Sequence, residues 1–122
     1  MDRQQLEEFI VKTYGVEPDY PWMKYPSFAV FRHADNNKWF AVIMTINRSA
    51  LNLDGDGLVD VVNLKCDPNF APLLWEEAGI FPAYHMNKSH WITVALDGSV
   101  EQDNLKFFLE MSAKLTGKKN RK

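Results

Sequence analysis

The chain has 122 residues, of which 46% are hydrophobic and 25% charged, with a formal net charge of −2. That is the composition of one ordinary globular domain, long enough to bury a core without disulfide or metal staples. No apolar run approaches the roughly 18 residues of a membrane-spanning helix, so no membrane partner is expected.

The charge is unevenly placed. Lys118, Lys119, Arg121 and Lys122 hold four of the 14 basic residues, which leaves 10 basic against 16 acidic side chains, or −6, over residues 1–117. An acidic body argues against a general nucleic-acid coat, so binding of that kind would have to be local. The start, Met1-Asp2-Arg3-Gln4-Gln5, lacks the apolar core of a signal peptide, and Cys66 is the only cysteine. Together these features predict a cytoplasmic protein without disulfides.

Asp2 and Gln5 form a capping-box pattern, after which Leu6, Phe9 and Ile10 recur at helical spacing as far as about Tyr14. Gly15 suits the left-handed position that ends a helix. Pro18, Pro21 and Pro26 then interrupt an aromatic stretch, which predicts an edge strand or ordered loop. Phe28 to His33 and Trp39 to Ile46, joined by the polar turn Asp35-Asn36-Asn37, predict a β-hairpin whose second strand is apolar on both parities. Asp54-Gly55-Asp56-Gly57 is a turn and not an EF-hand loop, because the twelfth position from Asp54 is Lys65.

Leu58 to Cys66 alternates as a strand, with Val62, Leu64 and Cys66 on a buried face and Asn63 and Lys65 on a face expected to be exposed. Asp67-Pro68 predicts a cap and first turn for a helix running to Gly79. Ile92, Val94 and Leu96 mark another strand, and Trp91 has the opposite parity, which predicts that its ring lies on an open face. Leu105, Phe108, Leu109, Ser112 and Leu115 stripe a final helix ending at Gly117. The order of elements predicts an α+β fold, an antiparallel sheet with helices packed on one face, in a single domain over residues 1–117 with a disordered basic tail at 118–122.

The stretch from Pro82 to Val94 stands apart from this scaffolding. Chain reversal explains Asn87 and Ser89, but a turn needs neither His85 and His90 nor Tyr84 and Trp91 beside it. This stretch, together with Tyr20-Pro21-Trp22, Pro26-Ser27-Phe28, Val30-Phe31-Arg32-His33, Lys38-Trp39-Phe40-Ala41 and Val62-Asn63-Leu64-Lys65-Cys66-Asp67-Pro68, closely resembles the MmcQ/YjbR family. The resemblance implies a CyaY-like, that is frataxin-like, fold with a double-wing arrangement associated with DNA binding. Ala83 departs from the pattern, since many members have glycine between the proline and the tyrosine.

In a structural reading, His85, Asn87, Lys88 and His90 belong to a turn whose polar side chains hydrogen-bond the backbone and satisfy neighbouring strands, and beside it the residues leave two functional readings. In the first, a small binding module contacts DNA or another anionic ligand. Arg32, Lys38, Lys88 and the basic tail approach phosphates, Asn87 pairs with a base edge, and Trp39, Tyr84 and Trp91 stack, with His85 and His90 as further polar contacts. In the second, a small-ligand protein or enzyme uses His85 and His90 as acid, base or donor groups. The five-residue spacing of those histidines does not suit a paired metal site, and an acidic iron-binding edge of Glu7, Glu8, Glu17 and Asp19 is better read as a solvated helix face. Cys66 shares the parity of Val62 and Leu64 and is expected in the core. No catalytic set, metal or cofactor is expected. Tyr20, Trp22, Tyr25, Trp39 and Trp91 exceed what one core of this size buries, so some of them should line a groove.

Overall fold

The longest run of β-forming residues, Trp39–Asn47, becomes the backbone of the molecule. The computed structural model describes residues 1–117, and the basic segment at 118–122 lies outside the described residues. Strands β1 (Ala29–Arg32), β2 (Trp39–Asn47), β3 (Leu58–Lys65), β4 (Ile80–Pro82) and β5 (Trp91–Ala95) form one sheet in the order β1-β2-β3-β5-β4, antiparallel throughout. Helices α1 (Arg3–Tyr14), α2 (Ala71–Leu74) and α3 (Gln102–Thr116) complete the α+β architecture. The capping box at Asp2 and Gln5 opens α1, and Gly15 closes it in the left-handed conformation at φ 68°.

One face of the sheet is apolar from edge to edge. Ala29, Ile43, Val62, Val94 and Ile80 stand in register across all five strands, and Leu6 and Ile10 of α1 pack over them with Leu105, Leu109 and Ala113 of α3. Cys66 joins this core at 1% exposure.

A bulge decides what the other face presents. Phe31 pairs with Ala41, but Arg32 pairs with Trp39, so Phe40 is the extra residue. An extra residue reverses side-chain parity beyond it. Phe40 therefore enters the helix-side core with Ala41, while Trp39 turns to the opposite face. The register of β2 and β3 would set Phe40 against Lys65, but the buried Ser112 hydroxyl of α3 stands between them. It accepts from the Lys65 N–H at 2.8 Å and donates to the Phe40 carbonyl at 2.6 Å. Helix and bulge are thus fixed together, and the Lys65 N–H and the Phe40 carbonyl, which the bulge separates, both find a partner.

Two expectations are corrected and one strand is added. The helix predicted from Asp67 to Gly79 is only Ala71–Leu74. Asp67 opens a turn, its carboxylate accepting from the Asn69 N–H at 2.8 Å and its carbonyl from the N–H groups of Phe70 and Ala71. The N–H groups of Glu76 and Glu77, however, reach back three residues, to the carbonyls of Leu73 and Leu74, and the α-helical ladder ends. Strand β4 was not predicted; at three residues it has too little alternation to read. The face carrying Asn63 is not exposed, since Asn63 and Thr93 are both fully buried.

Candidate functional site

Val30, Val42, Asn63, Thr93 and Phe81 form the row across the middle of the second face. Two polar side chains at its centre require partners. Thr93 Oγ1 accepts from the Tyr84 N–H at 2.8 Å and donates to Asn63 Oδ1 at 2.5 Å, and Asn63 Nδ2 donates to the Tyr84 carbonyl at 2.8 Å. This closed ring of bonds satisfies both backbone groups of Tyr84 and fastens the loop of residues 83–90 over the sheet.

Further along, Asn87 holds the loop in a compact turn. Its Oδ1 accepts from the Ser89 N–H at 2.8 Å, and its carbonyl accepts from the N–H groups of His90 at 3.2 Å and Trp91 at 3.0 Å. His85, between the two anchors, has a left-handed backbone at φ 62° and its ring centroid lies 4.1 Å from that of Tyr84.

The proline-rich segment supplies the facing wall. A bridge between Asp19 and Val30 docks it on the edge of β1, and two tight turns bring the N–H of Tyr25 to the carbonyl of Trp22 and that of Phe28 to the carbonyl of Tyr25. Trp22 meets Trp39 edge-on, with centroids 5.4 Å apart at 88°, and meets Phe28 at 5.8 Å and 81°, while Tyr25 stacks on Phe28 at 4.8 Å. Between the walls lies a cavity of about 440 Å³. Trp22, Tyr25 and Phe28 form one side, Trp39, Val42 and Met44 the floor, and Tyr84 to Asn87 the other side. That volume falls in the range of small-molecule sites, about 300–1,000 Å³.

Of the residues singled out from sequence, Trp39, Tyr84, His85 and Asn87 come together at this groove. Arg32 lies 5.7 Å from the Trp39 ring centre, and its guanidinium pairs with Asp19 at 2.6 Å. Lys38 is exposed in the hairpin turn, its N–H donating to Asn36 Oδ1 at 2.8 Å. Lys88 sits outside the groove and donates to the Ala83 carbonyl at 3.0 Å. His90 is exposed away from the groove lining, and its carbonyl accepts from the Cys66 N–H at 2.8 Å.

The expected open position of Trp91 is corrected: its ring lies on the predicted face but is only 9% exposed, and the Lys65 ammonium lies 5.5 Å from the ring centre. Phe28, Val42, Met44 and Met86 were missed as lining residues. Nothing distinguishes them in the sequence from core residues, and the bulge at Phe40 brings Trp39 to the face of β2 that Val42 and Met44 present to the cavity.

Burial, and next the charge of Asp67, push the Cys66 thiol up to about 11, with Lys65 pulling the other way. A thiol held protonated is a poor nucleophile. Glu7 is paired with Arg3 at 2.9 Å and Asp19 with Arg32. No group of three His, Cys, Asp or Glu side chains suited to a metal occurs among the described residues, and no helix there is long and apolar enough to cross a membrane.

Similarity to known proteins extends over this whole arrangement. The YjbR family model matches residues 11–114. YyaQ of Bacillus subtilis is 39% identical over 116 residues, which span 95% of this chain and 98% of the relative. YjbR of Escherichia coli K12 is 38% identical over 52 residues, 42% of this chain and 44% of that protein. A crystal structure of a Pseudomonas syringae protein superposes with a TM-score of 0.94 at 45% identity, covering 96% of this chain and 100% of its own. Deinococcus radiodurans DR2400 superposes with a TM-score of 0.72 at 26% identity, covering 99% of this chain and 82% of its own.

Proposed function

The chain belongs to the MmcQ/YjbR family, and from that premise we propose that it is a small cytoplasmic binding module whose ligand site is the aromatic groove. The observation that carries the reading is the cavity of about 440 Å³, in which Trp22, Trp39 and Tyr84 offer ring faces and edges around an apolar floor. Such a lining favours a flat, weakly polar ring, gripped by stacking and edge contacts, with Asn87 and His85 at the margin as hydrogen-bonding groups. A frataxin-like description fits this reading, with the helices on one face and the site on the other.

Nucleic acid remains within the proposal in one form. An unstacked base of a single strand fits the groove, with Lys38 and Lys88 outside it near the backbone, whereas a duplex buries its ring faces and would rest mainly on phosphate contacts. Arg32 contributes less charge to that purpose because Asp19 pairs with it. Acid–base chemistry by His85 and His90 is the weaker alternative, since only His85 lines the groove.

The test is a two-dimensional amide and indole NMR titration with planar heteroaromatic fragments, single-stranded oligonucleotides and duplex DNA. The expected result is movement of the Trp22 and Trp39 indole signals and the amides of residues 84–87 with fragments and single strands. No movement there with any probe up to millimolar concentration removes the proposal.

A further inference from the structure

The loop that walls the groove has a second hollow behind it. This hollow, of about 400 Å³, is lined by Tyr84 and His85, by Leu51, Asn52 and Phe81, and by the exposed Lys88. Tyr84 and His85 therefore line both spaces. The chemistry of the two sides differs. The groove is aromatic, whereas the hollow holds one ammonium and no carboxylate in a chain whose residues 1–117 carry an acidic excess.

Two details set the Lys88 ammonium in place. Its bond to the Ala83 carbonyl, itself on the wall of the hollow, uses one of its three donors and leaves its charge uncancelled. No carboxylate pairs with it among the described residues, where the ion pairs are Arg3–Glu7, Arg32–Asp19 and Lys114–Glu110. The backbone gives an independent indication. His85 has a positive φ of 62° with no helix end to account for it, and it borders this hollow, whereas Asn52 at 57°, also on the wall, is the left-handed C-cap of the short helix Arg48–Leu51. Left-handed backbone at a side-chain-bearing residue carries a conformational cost, and such residues cluster at ligand sites.

We propose that the hollow is an anion subsite continuous with the groove across His85, so that the ligand is a planar ring carrying an anionic arm, a phosphate or carboxylate, with the ring against Trp39 and the arm at Lys88. The inference rests on the groove being the ligand site and names the chemical class that the site accepts. The ring alone would bind weakly, and the arm would add affinity that depends on Lys88 and falls with ionic strength.

Matched pairs test this on the intact protein: adenosine against adenosine 5′-monophosphate, and indole against indole-3-acetate, titrated by isothermal calorimetry at low and moderate salt. The expected result is at least tenfold tighter binding of the anionic member of one pair. That gain should be lost in Lys88→Gln and reduced by salt, while the neutral member binds the variant and parent alike. A variant that retains the parent's circular dichroism and melting temperature excludes misfolding. If neutral and anionic members bind equally, or if the gain survives Lys88→Gln, the subsite falls and the groove stands. If neither member of either pair binds, the groove reading fails for these ring classes and the subsite falls with it.

Discussion

The two faces of this sheet are made from the same strands yet are finished in different ways. Under the helices, apolar side chains fill every strand of the central row from Ala29 to Ile80, and α1 and α3 close over them. On the opposite face the neighbouring row, from Val30 to Phe81, contains Asn63 and Thr93, the cover is made of two loops, and a cavity remains between them. Apolar packing is non-directional and tolerates filling by any side chain of suitable shape. Hydrogen bonds fix a loop in one position without filling the space beside it. The helical face therefore carries stability, and the loop face carries shape.

The largest separation between the faces should appear when each is cut at its centre. Leu109→Ala, in the fully buried α3 contact, is expected to cost about 4 kcal/mol in urea denaturation, as large-to-small changes in a packed core do. The loss should be global, with amide exchange accelerated throughout the sheet. Local exchange confined to α3 would contradict a shared core.

Thr93→Val makes the corresponding cut on the loop face at nearly constant volume. It leaves the Tyr84 N–H and Asn63 Oδ1 without their partner. At about 1–3 kcal/mol for an unsatisfied buried group, moderated as the loop turns toward water, the expected cost is about 2–3 kcal/mol. Exchange should rise first in residues 84–91, and fragments should lose affinity for the groove. If the melt drops while the loop stays protected, the ring of bonds around Tyr84 is not what holds it.

How legible this was in the sequence follows the same division. The hairpin, β3, β5, α1 and α3 announce themselves because a single covered face imposes a period on the chain. Asn63 misled for the reason that makes it important: polar alternation ordinarily means solvent, and the partner that buries it lies 21 residues away at Tyr84. The parity of Trp39 was equally hidden, since the bulge is braced by Ser112, 72 residues beyond Phe40. Trp22, Tyr25 and Trp39 signalled a groove by their excess over the core's capacity, but the contributions of Met44 and Met86 depend on how three segments meet.

Cys66 sharpens the contrast from the helical side. Its raised thiol pKa, about 11 against an ordinary 9.0, means that the folded protein holds the proton while the unfolded chain releases it. The corresponding stability is fully present below about pH 9 and is lost as pH rises toward 11. Cys66→Ala should flatten that decline and cost on the order of 1 kcal/mol at neutral pH through the small cavity left. Thiol reagents should modify the parent only on unfolding; rapid native modification would take Cys66 out of the core.

The smallest effect is expected on the loop face, at His85. Its backbone at φ 62° lies where glycine rests freely and a Cβ is penalised. If the position served chain reversal alone, glycine would be the better residue. His85→Ala removes the ring and keeps the Cβ, whereas His85→Gly removes both, so the difference between the two variants measures the backbone cost. Paired urea melts should favour glycine by about 1 kcal/mol. Both variants lose the imidazole that lies 4.1 Å from the Tyr84 ring and lines the groove, so both should weaken binding of a groove fragment by a similar factor. A gain in stability accompanied by a loss of binding would identify a side chain carried for its ring at the expense of the turn. Unchanged binding in both would mean that Tyr84 and the loop backbone shape the mouth of the groove without His85.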